Sequence, residues 1–315
     1  MTQDFPKENK MPQGEDSCAS CTAIKKSLER LRSDIPDLEV IVESFENLFL
    51  TIAEVSSKLP EIKLENSEID PASFSQGLPI LRSWKVDIPN DLFLVSAEAM
   101  LPAMQKCFPK IEKTLSGVLE HIRNHCKQSY ELRPDDKESS SELIGQLVEK
   151  LGIDTDLAHF IITQVTKPFA EKISDSLTPL PSGLNWTKGY CPVCGSWPEI
   201  SFIRGKDGKR SLRCCFCGHE YGFSRLVCPF CENDDQSKME LFYSQDRSFE
   251  RAEMCGACKK YVVGLDTRTL IYEPAPQVAA LGMIYLDILA QEKGFTPGAV
   301  CAWNVIGGSG TETSA

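Results

Sequence analysis

Four Cys-x-x-Cys pairs, Cys191/Cys194, Cys214/Cys217, Cys228/Cys231 and Cys255/Cys258, fall within 68 residues of a 315-residue chain. The first two pairs are separated by 19 intervening residues and the last two by 23. Sequential pairing therefore predicts two four-cysteine metal sites. The two-residue spacer turns the chain tightly enough for both sulfurs of a pair to face one ion, while backbone N–H groups of the turn donate to the thiolates and spread their charge. Cys191-Pro-Val-Cys-Gly195 has the residues such a turn needs, a proline that fixes φ and a glycine that permits positive φ after the second ligand. Cys214-Cys-Phe-Cys-Gly218 and Cys228-Pro-Phe-Cys231 vary the same theme. Short hairpins between such knuckles bury little apolar area, so metal is expected to supply roughly 10 kcal/mol or more of folding free energy per site. Complete sets of four thiolates leave no open coordination position for catalysis, and sulfur suits both zinc and iron, so spacing does not name the ion.

This use of cysteine presumes a reducing compartment, because in an oxidising one the 14 cysteines would form a disulfide framework. The first 17 residues place no apolar segment behind their charges, so neither a secretory signal nor a transit peptide is expected and the cytoplasm is the expected location. The longest apolar run, Val278 to Ala290, is interrupted by Asp287 and falls short of the roughly 20 residues of a membrane span, so none is expected. With 34 Lys+Arg against 45 Asp+Glu the net charge is -11, which argues against a protein that coats nucleic acid. Residues 186–265 are less acidic, with 12 basic and 10 acidic residues. Their cluster Arg204, Lys206, Lys209, Arg210, Arg213 and Arg225 reads as a solvated hairpin tip, with contact to an anion or an acidic client as the sharper alternative.

The rest of the chain separates into stretches of different texture. Residues 1–17 read as a mobile tail and residues 18–183 as a helical domain. Residues 184–273 form the metal-binding domain with two four-cysteine sites, and 274–315 a C-terminal helix and tail. Leu38, Ile41, Val42, Phe45, Leu48, Phe49, Ile52 and Val55 make one helical stripe. A second runs from Leu101 to Ile122, with Pro102 and Pro109 suggesting a broken or kinked beginning. A third, Leu143 to Leu151, follows a Ser139/Glu142 capping box and is closed by Gly152; Asp154 or Asp156 caps a fourth through Phe160, Ile161 and Val165. The prolines and glycine of residues 178–183 mark a linker. Beyond them, residues 198–203 and 239–243 read as strands of small hairpins, and Val278 to Lys293 as a last helix ended by Gly294.

Other chemistry-bearing residues have blander readings. Cys18 and Cys21 form a fifth pair that lacks two further ligands, so a solvated pair is expected. Cys215 reads as a neighbouring thiol beside Cys214, and Cys107, Cys126 and Cys301 as buried structural thiols. His219 reads as a polar turn residue, and His121 and His125 as surface residues. No phosphate-cradling glycine loop, serine elbow or carboxylate pair stands out, so no turnover and no enzyme is expected.

The segments Tyr190–Pro198, Arg213–Tyr221, Arg225–Cys231 and Met254–Cys258, with the final Leu286–Phe295, resemble the formate dehydrogenase accessory (maturation) proteins in order and spacing. The resemblance covers roughly residues 186–298, while the helical half agrees in general character. It implies an α+β protein: an all-α N-terminal helical domain, then two rubredoxin-like/zinc-ribbon-type knuckle modules and a C-terminal helix. It further implies a cytoplasmic, non-enzymatic maturation factor that binds the catalytic subunit of a molybdenum- or tungsten-dependent formate dehydrogenase, and it allows a homodimer. Two metal ions are implied, iron favoured and zinc the alternative, on Cys191, Cys194, Cys214 and Cys217 and on Cys228, Cys231, Cys255 and Cys258. The chain departs from the family where Ala279 and Ala280 replace a paired acidic motif and Ala302-Trp-Asn-Val305 replaces an Asn-Pro-Phe ending. The rival readings are a zinc-ribbon module for nucleic acid or protein, and a thiol redox or sulfur-transfer enzyme.

Overall fold

The computed structural model describes residues 2–4, 18–61, 69–126, 128–132, 142–243 and 246–304. The chain divides into two compact units. The first comprises Met1–Thr187 together with Pro192–Ser196 and Phe216–His219; the second comprises Lys188–Cys191, Trp197–Cys215 and Glu220–Ala315.

The first unit is helical because its apolar residues recur every three or four positions. Its main helices are α1 (Ala19–Asp34) and α2 (Glu39–Lys58). Between α2 and the next long helix lie two short ones, α3 (Pro71–Ser75) and α4 (Ile80–Ser83). Next come α5 (Asn90–Cys107), α6 (Glu112–His125), α7 (Glu142–Leu151) and α8 (Thr155–Ser176). The α2 stripe is buried as its periodicity requires. The stripe expected from Leu101 to Ile122 divides between α5 and α6, because Phe108 leaves the helical region (φ -129°, ψ 64°) just before Pro109. Pro102 does not break α5; it lies inside it. Gly152 closes α7 at φ +64°, and the Asp154 carboxylate caps α8 by accepting from the Leu157 N–H at 2.8 Å. The expected Ser139 cap lies outside the described residues. Helix α5 packs against α2, α6 and α8 around Phe45, Leu48, Phe93, Met100, Leu101 and Phe169, all fully buried. Thr2–Asp4 (β1), from the expected tail, pairs parallel with Lys85–Ile88 (β2), which pairs antiparallel with Tyr130–Glu131 (β3). The remainder of residues 1–17 lies outside the described residues.

The second unit is built on one seven-stranded sheet. Its strands are β4 (Pro198–Arg204), β5 (Lys209–Cys214), β6 (Glu220–Gly222), β7 (Met239–Phe242), β8 (Glu250–Cys255), β9 (Lys260–Asp266) and the short β10 (Thr296–Pro297). Two three-stranded antiparallel meanders, β4-β5-β6 and β7-β8-β9, repeat the same plan, with a Cys-x-x-Cys knuckle before the first strand and another between the second and third. A parallel pair, β4 with β9, fuses them in the order β6-β5-β4-β9-β8-β7. The expected small hairpins are thus parts of one sheet. The expected single C-terminal helix is two, α9 (Pro276–Gly282) and α10 (Ile284–Glu292), because Met283 leaves the helical region; Gly294, at φ +82°, follows the second. Both pack on β9, and Ala279 and Ala280 are buried there.

Candidate metal centres

The meander plan brings the knuckles together in sequential pairs. In the first module the antiparallel register sets Pro198 opposite Cys214, which carries Cys214 back to the Cys191–Cys194 turn. In the second, Met239 stands opposite Cys255 and the Gly256 N–H donates to the Lys238 carbonyl at 2.7 Å, fixing the turn after β8 beside the strand that follows Cys231. The result is two sulfur clusters, Cys191/Cys194/Cys214/Cys217 and Cys228/Cys231/Cys255/Cys258, each with all four Sγ atoms within 4.8 Å of one another. In the second cluster Cys228 Sγ lies 3.8 Å from Cys258 Sγ and Cys231 Sγ 3.7 Å from Cys255 Sγ. A tetrahedral ion with metal–sulfur bonds of about 2.3 Å needs sulfur–sulfur edges of about 3.8 Å, whereas a disulfide needs about 2.05 Å. The residues fit a four-coordinate thiophilic ion, and the donor set does not distinguish zinc from iron.

The backbone is arranged for thiolates. Ser196 N–H points to Cys194 Sγ at 3.4 Å. In the second cluster Cys228 receives the N–H groups of Phe230 and Cys231, Cys255 those of Ala257 and Cys258, and Cys258 that of Lys260. Burial pushes the Cys228 thiol up, and Cys258 to about 11, against these donors. At Cys255 burial is the largest influence and opposes ionisation, but the N–H groups of Cys258 and Ala257 together with the Cys231 and Cys228 side chains hold the thiol below its ordinary value. Each knuckle is closed by a left-handed residue after its second cysteine: Gly195 at φ +86°, Gly218 at +68°, Glu232 at +57° and Lys259 at +59°. The N–H groups of Glu232 and Lys259 return to the carbonyls of Cys228 (3.0 Å) and Cys255 (2.8 Å). The first knuckle also caps a helix: the Pro192 and Val193 carbonyls accept from the Ile80 and Leu81 N–H groups of α4 at 3.0 and 2.8 Å.

Several residues read differently in place. Cys215 is outside the clusters, its N–H bonded to the Trp197 carbonyl. Cys18, half buried, is the N-cap of α1 and accepts from the Cys21 N–H. Cys107 and Cys301 are buried as expected, but Cys126 is only half buried. His219 is not an exposed turn residue: it is buried, with Nδ1 3.2 Å from Ser174 Oγ. His121 is buried too, bonded to Gln146 at 3.1 Å and stacked on exposed His125.

The basic cluster is the larger correction. Arg210 is buried and pairs with Glu253 at 2.5 Å while donating to the Ser224 and Val227 carbonyls that lead into the third knuckle. Arg213 pairs with buried Glu199, and Arg204 reaches Glu220 and Glu273. Three of the six cationic groups expected on a solvated tip therefore serve the sheet. Glu253 was not legible as a site residue. It receives Ser201 Oγ (2.6 Å) and Arg251 Nε (2.9 Å) as well as Arg210. Burial alone would raise its carboxyl, yet the flanking guanidiniums hold it below the usual carboxylate range.

No protein-family model matches the chain. The "Protein FdhE homolog" of Aquifex aeolicus is 27% identical over 266 residues, covering 82% of this chain and 83% of that protein. The "Protein FdhE" of Salmonella paratyphi B is 26% identical over 200 residues, 61% of this chain and 60% of that one. The crystal structure of the FdhE protein from Pseudomonas aeruginosa superposes with a TM-score of 0.62 over 94% of this chain and 99% of that one at 17% identity, which shows a shared fold. Among the described residues no helix is long and apolar enough to cross a membrane. In sequence over four-fifths of its length, and in fold over nearly all of it, the chain is similar to FdhE proteins.

Proposed function

We propose that the chain is a cytoplasmic maturation factor for a molybdenum- or tungsten-dependent formate dehydrogenase, binding its catalytic subunit stoichiometrically and turning over no substrate of its own. The observation that carries the reading is the pair of closed four-thiol clusters, built by a repeated meander, in a chain of FdhE likeness. Cys191, Cys194, Cys214 and Cys217 would hold one ion and Cys228, Cys231, Cys255 and Cys258 the other. Iron bound there would supply one-electron chemistry, and zinc would supply rigidity alone. The chain's part is to hold four thiolates at fixed edges, to aim N–H donors at their sulfurs, and to tie each knuckle to a strand. The nucleic-acid alternative has less to stand on, since Arg204, Arg210 and Arg213 already have carboxylate partners within the sheet.

Affinity purification of the tagged full chain from its native source, with elemental analysis of the bait, tests partner and ion together. The expected result is co-enrichment of a formate dehydrogenase catalytic subunit with two equivalents of iron or zinc. Absence of any formate dehydrogenase polypeptide under conditions that induce that enzyme would overturn the reading.

A further inference from the structure

Resting on the reading that both clusters hold ions, we propose that the two sites are unequal in kind: Cys191/Cys194/Cys214/Cys217 is a permanent staple, whereas Cys228/Cys231/Cys255/Cys258 exchanges its thiophilic divalent ion through Cys231. Two independent observations carry this. The first is access. All four thiols of the first cluster are buried, while in the second Cys231 is exposed and Cys258 half buried. Exchange at a four-thiolate ion needs an incoming ligand to reach the metal edge and one thiolate to swing away, and a ligand on an exposed residue allows both.

The second observation is the backbone. The knuckles of the first site close on Gly195 and Gly218, which occupy positive φ at no steric cost. Those of the second close on Glu232 and Lys259, whose side chains crowd the carbonyl in the same left-handed region. Opening either knuckle of the second site relieves that crowding; opening the first relieves nothing. The strained turns adjoin Cys231 and Cys258, the two more accessible ligands of the set.

Exchange has a structural consequence. Cys255 ends β8 and Lys260 begins β9, and the loop carrying Cys228 and Cys231 leads into the outer strand β7. Ion loss therefore loosens the edge of the sheet at β7 and the β8–β9 turn, giving the protein a surface that is ordered or not according to the supply of ion.

The test uses the full chain loaded with two equivalents of zinc and challenged with excess chromogenic chelator, with pulsed thiol alkylation read by mass spectrometry. One equivalent should leave about tenfold or more faster than the other, with alkylation during that phase confined, among the eight cluster thiols, to Cys228, Cys231, Cys255 and Cys258. The double substitution Glu232→Gly, Lys259→Gly should slow the fast phase several-fold and leave the slow phase unchanged; glycine is the residue those conformations favour, so folding is not at risk. Release of both equivalents in one phase, or first alkylation at Cys191, Cys194, Cys214 or Cys217, would overturn the inequality. Fewer than two equivalents bound at the outset would instead overturn the metal reading on which it rests.

Discussion

Glu253 shows how much of the sheet's interior depends on one carboxylate. It is buried between Arg210 and Arg251 and receives Ser201 Oγ, and Arg210 is also the residue that holds the Ser224 and Val227 carbonyls ahead of the third knuckle. Removing one partner of a buried ion pair leaves the other charge without compensation. Glu253→Gln is accordingly expected to cost about 3–5 kcal/mol in denaturant unfolding. Asp287 presents the opposite case. Its Oδ1 accepts from Tyr261 Oη at 2.6 Å, but Oδ2 is buried without a hydrogen-bond partner among the described residues, and burial pushes the carboxyl to about 6 against the Tyr261 hydrogen bond. The unfolded value is about 3.9, so the native state holds this proton more tightly. Its contribution to stability is complete below about pH 4, is lost as the pH rises through about 6, and amounts to about 3 kcal/mol. Asp287→Asn should therefore be more stable than the parent near pH 8 and lose its advantage toward pH 4. A flat difference between the two across that window would refute the assignment.

At the scale of elements, the third knuckle depends on close packing as well as on sulfur. A Cβ at Gly189 would run into the Pro229 carbonyl. Gly189→Ala is thus expected to displace Cys228–Cys231 and weaken metal binding at the second site by about 10–100-fold, with the first site still occupied, as metal stoichiometry against competing chelator would report. The knuckles themselves were legible because ligand type and spacing are local facts. So were α2, α7 and α8, whose apolar stripes are contiguous in sequence, and the Asp154 cap of α8. What escaped sequence reasoning was non-local. The α5–α6 break was masked by a stripe that stays in phase across Phe108 and Pro109. Arg210 and Arg213 read as solvated because their partners, Glu253 and Glu199, lie 43 and 14 residues away. The union of two meanders in one sheet depends on the parallel β4–β9 register, for which a strand's own residues carry no signal.

Over the whole chain, two kinds of stabilisation coexist. The helices between Ala19 and Ser176 bury a contiguous apolar core, whereas the sheet of the second unit combines buried Ile200, Phe202, Leu212, Val263 and Leu265 with two four-thiol clusters. An ion that binds only the folded state adds RT ln(1 + [L]/Kd), about 2.7 kcal/mol at a hundredfold excess over Kd. Thermal melting of the full chain followed by circular dichroism should therefore show a near-ultraviolet aromatic transition that moves up with free metal and down with chelator, and a far-ultraviolet helical signal that changes less. A melting profile indifferent to chelator would contradict it.

The parallel join between β4 and β9 sets the order in which a nascent chain can mature. Strands β4, β5 and β6 are complete by Gly222, yet the seam they belong to waits for Lys260–Asp266 to leave the ribosome. Vectorial synthesis thus completes the first set of four thiols while β4 still has a bare edge, and the late-arriving β9 shields that edge from pairing with a neighbouring polypeptide.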